Sequence, residues 1–363
     1  MAYSSIVKPS VYFNTKLYTG TTNAQSITGV GFQPDMTWIK VRSASAYHVI
    51  QDAVRGATGT DTYSLITNAE AGDNTDAITS FDSDGFSLGT DANDRSNYSG
   101  QTHVAWNWKA NGQGSSNTDG SINTTYTSVN TTAGFSISKY TGTGSNATVG
   151  HGLGVAPNMI IIKCTSHTSN WGIYHKSIGA DKMLNLNTTA AEATNGGYFN
   201  NTDPTTTVFS LGDEGNDTNG SGKGYIAYCF AEKQGYSKFG SYTGNGNNDG
   251  TFVYTGFKPA FVMIKRTSNT DNWYMKDNKR SGTAALQDFG QMNPNQTQHP
   301  SANNNSAENK ASAFATDILS NGFKLRGTDS GLNQSGESYI YMCFAEQPLV
   351  ANSGTDGVPA TAR

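Results

Sequence analysis

The chain has 363 residues with 24 Lys or Arg against 28 Asp or Glu, a net charge of −4, so it lacks the basic footprint of a nucleic-acid binder, and no apolar run nears the ~20 residues that insert in a membrane. Gly, Asn, Ser and Thr number 41, 36, 36 and 44, and aromatic residues reach 11%; a disordered chain is poor in aromatics and carries more net charge. A folded, turn-rich, all-β protein is predicted.

In chain order, residues 1–16 come first. Met1 to Ser10 lack the charged stretch and apolar run of a secretory signal. Lys8, Pro9, Tyr12 and Phe13 are candidates for a docking segment ahead of the first repeated landmark. That landmark is Tyr18-Thr19-Gly20, which recurs as Tyr140-Thr141-Gly142 and Tyr242-Thr243-Gly244. A proline and a strand ending in lysine follow each time: Pro34 to Lys40, Pro157 to Lys163 and Pro259 to Lys265. Further strand signals start at His48, Trp171 and Trp273, and again at Phe86, Phe209 and Phe323. Asp84-Gly85 and Asn321-Gly322 supply tight hairpin turns. Each copy closes on an alternating aromatic strand: His103 to Trp108, Tyr225 to Phe230 and Tyr339 to Phe344.

The predicted organisation is three tandem jelly-roll or lectin-like β-sandwich domains at 17–112, 133–235 and 236–349. A Ser/Asn/Thr/Gly-rich linker at 113–132 is expected to be flexible or turn-like, and a polar tail occupies 350–363. Successive strand side chains point to opposite faces. Val104, Trp106 and Trp108, with their counterparts Ile226, Tyr228, Phe230, Ile340, Met342 and Phe344, are therefore expected in the core. Cys229 and Cys343 occupy equivalent sites, too far apart for a disulfide, so with Cys164 they are expected to be free thiols. Lys40, Lys163 and Lys265 are expected to reach the rim and pair with acids.

Few residues suggest chemistry. Asn219 to Gly224 resembles a phosphate loop but has the wrong spacing, and a hairpin loop is the better reading. The acids Asp82, Asp84 and Asp91, and likewise Asp213, Glu214 and Asp217, lack a calcium-loop pattern. His151, His167 and His175 lack zinc spacing. No metal, cofactor or catalytic residue is assigned. Trp171 and Trp273, equivalent and each preceded by Asn, are candidate glycan contacts, with core plugging as the competing role.

The run Gly29 to Lys40, with Lys8 to Thr15, Asp52 to Gly56, Ser83 to Gly89 and Val104 to Lys109, resembles an uncharacterised β-sandwich domain. That domain recurs in virion proteins of tailed phages, often of marine and cyanobacterial hosts. The match is weaker in copies two and three, where the Arg55-Gly56 element is replaced. The resemblance implies a non-enzymatic structural protein of the virion, in the tail or tail fibre, folded in the host bacterial cytoplasm and contributing to host-surface glycan attachment. It further implies other virion proteins as partners; a homo-oligomer is expected because most soluble assemblies are symmetric, and a trimer by analogy with phage appendages. The alternatives are a capsid decoration protein of the phage head and a glycan-degrading enzyme on a sandwich fold.

Overall fold

The computed structural model describes residues 4–44, 46–56, 65–66, 78–90, 95–280 and 315–350. It is nearly all β, built from antiparallel sheets. Copy one holds β1 (Phe13–Thr19), β2 (Gln25–Thr28), β3 (Met36–Val41), β4 (Val49–Asp52), β5 (Leu65–Ile66), β6 (Ile78–Asp82), β7 (Gly85–Leu88) and β8 (Thr102–Trp108). Copy two holds β9 (Tyr126–Asn130), β10 (Phe135–Thr141), β11 (Ala147–Gly150), β12 (Met159–Cys164), β13 (Trp171–His175), β14 (Lys182–Asn185), β15 (Ala193–Thr194), the short helix α1 (Gly196–Phe199), β16 (Val208–Leu211) and β17 (Gly224–Phe230). Copy three holds β18 (Ser237–Thr243), β19 (Phe252–Tyr254), β20 (Phe257–Arg266), β21 (Trp273–Asp277), β22 (Thr316–Leu319), β23 (Gly322–Leu325), α2 (Ser330–Asn333) and β24 (Ser338–Pro348).

One strand order runs through all three main sheets: β1-β8-β3-β4, β10-β17-β12-β13 and β18-β24-β20-β21. Copy one adds β5 at its edge, and copy two adds β14, β15 and β9. Smaller sheets, β2-β7-β6, β11-β16 and β19-β23-β22, lie beside them. Register agrees as well as order. Trp38 faces Trp106, Ile161 faces Tyr228 and Met263 faces Met342; on the other side they face Ile50, Ile173 and Met275.

The Tyr-Thr-Gly triplet has a specific task in this arrangement. The hydroxyls of Tyr18, Tyr140 and Tyr242 donate to the carbonyls of Ser96, Thr218 and Leu332, at 2.5, 2.6 and 2.7 Å. The residue after each of those carbonyls is a buried asparagine: Asn97, Asn219 or Asn333. Each asparagine side chain accepts from the backbone of the loop after the triplet, at Thr21, Thr143 and Asn245. Each also donates to the carbonyl just past the small-sheet strand, at Gly89, Gly212 and Gly327. The triplet's glycine lets the two backbones meet: a Cβ on Gly20, Gly142 or Gly244 would lie 2.1, 2.5 or 2.3 Å from a carbonyl oxygen. The sequence behind this clip is Asn-x-Ser-Gly, as Asn97 to Gly100, Asn219 to Gly222 and Asn333 to Gly336. The phosphate-loop look-alike is the middle instance, and its polar groups tie two sheets together.

Each main sheet has two buried faces. One packs on its small sheet, giving three local cores around Phe86, Phe209 and Phe323. The other joins an interior common to all three copies. Phe13 and Trp108 of copy one, Phe230 of copy two and Phe261 and Phe344 of copy three meet there, with ring centroids 4.9–6.4 Å apart. The nine closing-strand residues expected in the core are all buried, but the core they build is the shared one. Burying such a side chain is worth ~1.5–3 kcal/mol, so a copy standing alone would forfeit that gain at Met36, Trp38, Trp106 and Trp108 together.

The linker at 113–132 takes the turn-like of its two expected forms, with Ser115 and Thr127 exchanging backbone hydrogen bonds, and the residues just ahead of it are anchored on copy one. Asp35 accepts from the backbone of Ala110 at 2.6 Å and Gly112 at 2.9 Å. Ile122 is buried in the local core of copy two, and β9 extends that copy's main sheet. The short joint between copies two and three carries Tyr236 into the common interior. The tail at 351–363 lies outside the described residues.

Candidate functional site

The copies meet at three seams, and the chemistry there comes from the residue that ends β4, β13 or β21. At the seam of copies one and two, Tyr228 donates its hydroxyl to Asp52 at 2.7 Å. The Asp52 carboxylate also takes the Arg55 backbone N–H and Nε, the latter at 2.6 Å, and Arg55 reaches the Ile50 carbonyl. At the seam of copies three and one the pattern repeats. Trp106 donates to Asp277 at 2.9 Å, Arg280 pairs with Asp277, and Arg280 reaches the Met275 carbonyl. Copy three therefore retains the arginine of the Asp52 to Gly56 element, three residues after its aspartate, whereas Ser281 stands in place of Gly56, so the element is replaced there only in part. Both pairs are buried. At the third seam His175 takes the aspartate's place. Its Nδ1 accepts from the Ser177 N–H and its Nε2 faces the Tyr341 carbonyl at 3.2 Å. Burial pushes the imidazole down to about 4, so it is neutral at pH 7.

Trp171 and Trp273 are 0% and 1% exposed. They line the common interior, and Trp273 donates to the Asn185 carbonyl at 3.0 Å. Neither offers a ring to a glycan in solvent, which corrects that assignment: strands apolar on both faces are buried on both. The docking segment is corrected likewise. Pro9 and Phe13 are buried, Tyr12 is half-buried edge-on against Tyr236, and of the four only Lys8 is exposed.

The three lysines do not reach a rim. They lie on the inward face of their strands, fully buried, and donate to carbonyls: Lys40 to Val41 at 2.8 Å, Lys163 to Ser169 at 2.6 Å, and Lys265 to Asp271 and Thr189 at 2.6 and 3.0 Å. Burial pushes the Lys40 amine down to about 7, with the nearby Arg280 charge adding to it, and Lys265 down to about 8.

The acids flagged in the sequence hold backbone and hydroxyl groups. Asp84 takes the N–H groups of Gly29 and Gly31, Asp82 takes the Ser80 and Ser87 hydroxyls, and Glu214 takes the N–H of Asp217. Asp217 binds the N–H of Asn170 and the Tyr198 hydroxyl. Asp91 lies outside the described residues. His151 faces the Thr205 carbonyl and accepts from Leu153 N–H, whereas His167 is exposed.

The surface of copy three departs from its sisters at one place. Phe252 and Tyr254 are 43% and 53% exposed, two residues apart on the outward face of β19. Pairing with the equivalent strands aligns them with Ser26 and Thr28 in copy one, and with Thr148 and Gly150 in copy two. Gly322 lies opposite Tyr254 and puts no side chain against its ring. Lys324 lies opposite Phe252 and pairs with Asp249 at 2.6 Å; Arg326 bridges Asp249 and Asp317. Tyr254 also borders a cavity of about 380 Å³ whose other wall carries Gln234 and the Glu232–Lys238 ion pair, 2.8 Å apart. An open ring beside amide and charged groups suits a sugar, whose C–H face stacks while its hydroxyls bond. The alternation Phe252-Val253-Tyr254 was the available signal for this face, and it is visible only once β19 is aligned with its serine- and threonine-bearing counterparts.

No curated protein and no solved structure matches the chain. One family model matches, over residues 8–348, so a single match spans all three copies, as the shared interior does. The chain belongs to that family, described as Domain of unknown function (DUF7483).

Proposed function

We propose that this chain is a structural protein of a tailed-phage virion, in the tail or tail-fibre region, and that its third copy contacts host-surface glycans. The resemblance carried by Gly29 to Lys40 supports the virion setting. Three free, buried thiols suit a chain that folds in a reducing cytoplasm. Each copy, a main sheet on a small one, reads as a lectin-like or jelly-roll sandwich. The ring of copies is closed within one chain, so a trimer of chains is a second level of assembly, which sedimentation distinguishes from a monomer. We read the protein as one that binds and does not catalyse. The observation that carries the attachment reading is the Phe252/Tyr254 pair, standing where both sister copies hold small or hydroxyl residues.

The test exchanges that pair for the residues of copy one. A Phe252→Ser/Tyr254→Thr chain is expected to keep its melting temperature and to lose host-cell adsorption and glycan-array binding. Undiminished binding by the folded variant would overturn the attachment reading. Labelling of intact particles that places the protein on the head would favour the decoration role.

A further inference from the structure

The seam of copies two and three differs from its sisters in what fills it. Arg55 and Arg280 fill the other two: Arg55 interacts with Tyr228 on the closing strand of copy two, and the Arg280 guanidinium sits 5.3 Å from the Trp106 ring of copy one. At the third seam the residue three past His175 is Ile178, too short to take that place. A second shortening coincides with it. Ser241 of copy three occupies the register position of Leu17 in copy one and Lys139 in copy two. The result is a cleft of about 390 Å³ between the two copies, within the ~300–1,000 Å³ of small-molecule sites.

The lining is polar and open to solvent, with Ser177, Ser241, Thr243 and Ser338 exposed. The inward face of copy three contributes the hydroxyls of Ser241, Thr243, Thr267 and Ser338; copy two contributes Ser177 and the Glu192 carboxylate. None of those five hydroxyl oxygens hydrogen-bonds another described residue. Glu192 is held in place by its backbone N–H, which donates to the Thr267 carbonyl at 2.9 Å, and its side chain stands 3.6 Å from Lys182. Ile178, half-buried, gives the cleft its apolar side, while Ile340 beneath it belongs to the common interior.

We propose that this seam is a second binding site, separate from the Tyr254 face, for one neutral hexose-sized sugar unit. Hydroxyl groups that donate and accept, with one carboxylate, match a ring bearing adjacent hydroxyls. The half-buried Ile178 takes its C–H face. A carboxylate in the lining disfavours anionic sugars. The site stands whether or not the Tyr254 face binds host glycan.

The test is saturation-transfer NMR with glucose, galactose, mannose and N-acetylglucosamine, each added singly to the full chain. It is run in the Phe252→Ser/Tyr254→Thr background, so that the signal reports the seam alone. Transfer to at least one sugar is expected there. Adding His175→Asp with Ile178→Arg rebuilds the ion pair of the sister seams and is expected to drop the transfer to background. Ser241→Leu, which installs the copy-one residue at the cleft's rim, is expected to do the same without touching the seam's buried groups. Absence of transfer from all four sugars, or transfer that survives Ser241→Leu in a folded chain, overturns the proposal.

Discussion

Two of the seams are locked by a buried aspartate and arginine, and the third by a neutral histidine, although the sheets on either side share order and register. At Asp52 and Asp277 the carboxylate gathers an arginine, backbone N–H groups and a ring or phenol donor from the next copy. At His175 a single imidazole spans the same gap with one backbone contact on each side. The arrangement of the copies is therefore not dictated by the ion pairs. It rests on the common apolar interior, and the seam chemistry is free to vary. Where it varies, space opens.

Breaking a locked seam is expected to have the largest effect. Asp52→Ala or Asp277→Ala leaves a buried guanidinium without its carboxylate, at a cost of ~3–5 kcal/mol. His175→Ala at the third seam is expected to cost only ~1–2 kcal/mol. Denaturant unfolding of the three variants checks this ranking, and equal losses would erase the distinction between seams.

Lys40 sharpens the comparison, because it adds a second cation beside Arg280. Its amine titrates at about 7 when folded and near 10.5 when unfolded. Between those values the unfolded chain holds the extra proton, so stability is expected to rise as pH rises from about 7 towards 10.5. Lys40→Met is expected to flatten that rise and to stabilise the protein by ~2–4 kcal/mol at pH 7. Melting temperatures across pH 7–10 test it, and an unchanged slope in the variant would contradict the assignment to Lys40.

The smallest effect is expected at the neutral seam in acid. The folded His175 imidazole titrates at about 4 and the unfolded one near 6.5. The unfolded state then gains the proton first, and stability falls as pH drops through that interval. By pH 5 the loss is expected to be ~1–2 kcal/mol. His175→Gln should lose less on going from pH 7 to pH 5 than the parent chain, as read by thermal melting.

Much of this architecture was legible in the residues. Period-two alternation put Val104, Trp106 and Trp108 and their counterparts inside, because a strand's side chains can face only two ways. The recurring Tyr-Thr-Gly marked each unit, but that its glycine sits where two backbones touch was visible only in the structure. The candidate site was harder to read. Trp171 and Trp273 are the aromatics that stand out in the sequence, yet they face the interior, whereas Phe252 and Tyr254 stand out only against Ser26 and Thr28 of a distant copy.

Local repetition in the sequence thus determined the number of β units, the faces of their strands and the free state of the thiols, since alternation and spacing act through near neighbours along the chain. That three units enclose one interior was decided in the tertiary structure, as was the burial of three lysines and the opening of one seam beside Ile178. A strand carries the same alternation whichever sheet covers it, and the identity of the covering sheet is set by packing between residues more than a hundred positions apart.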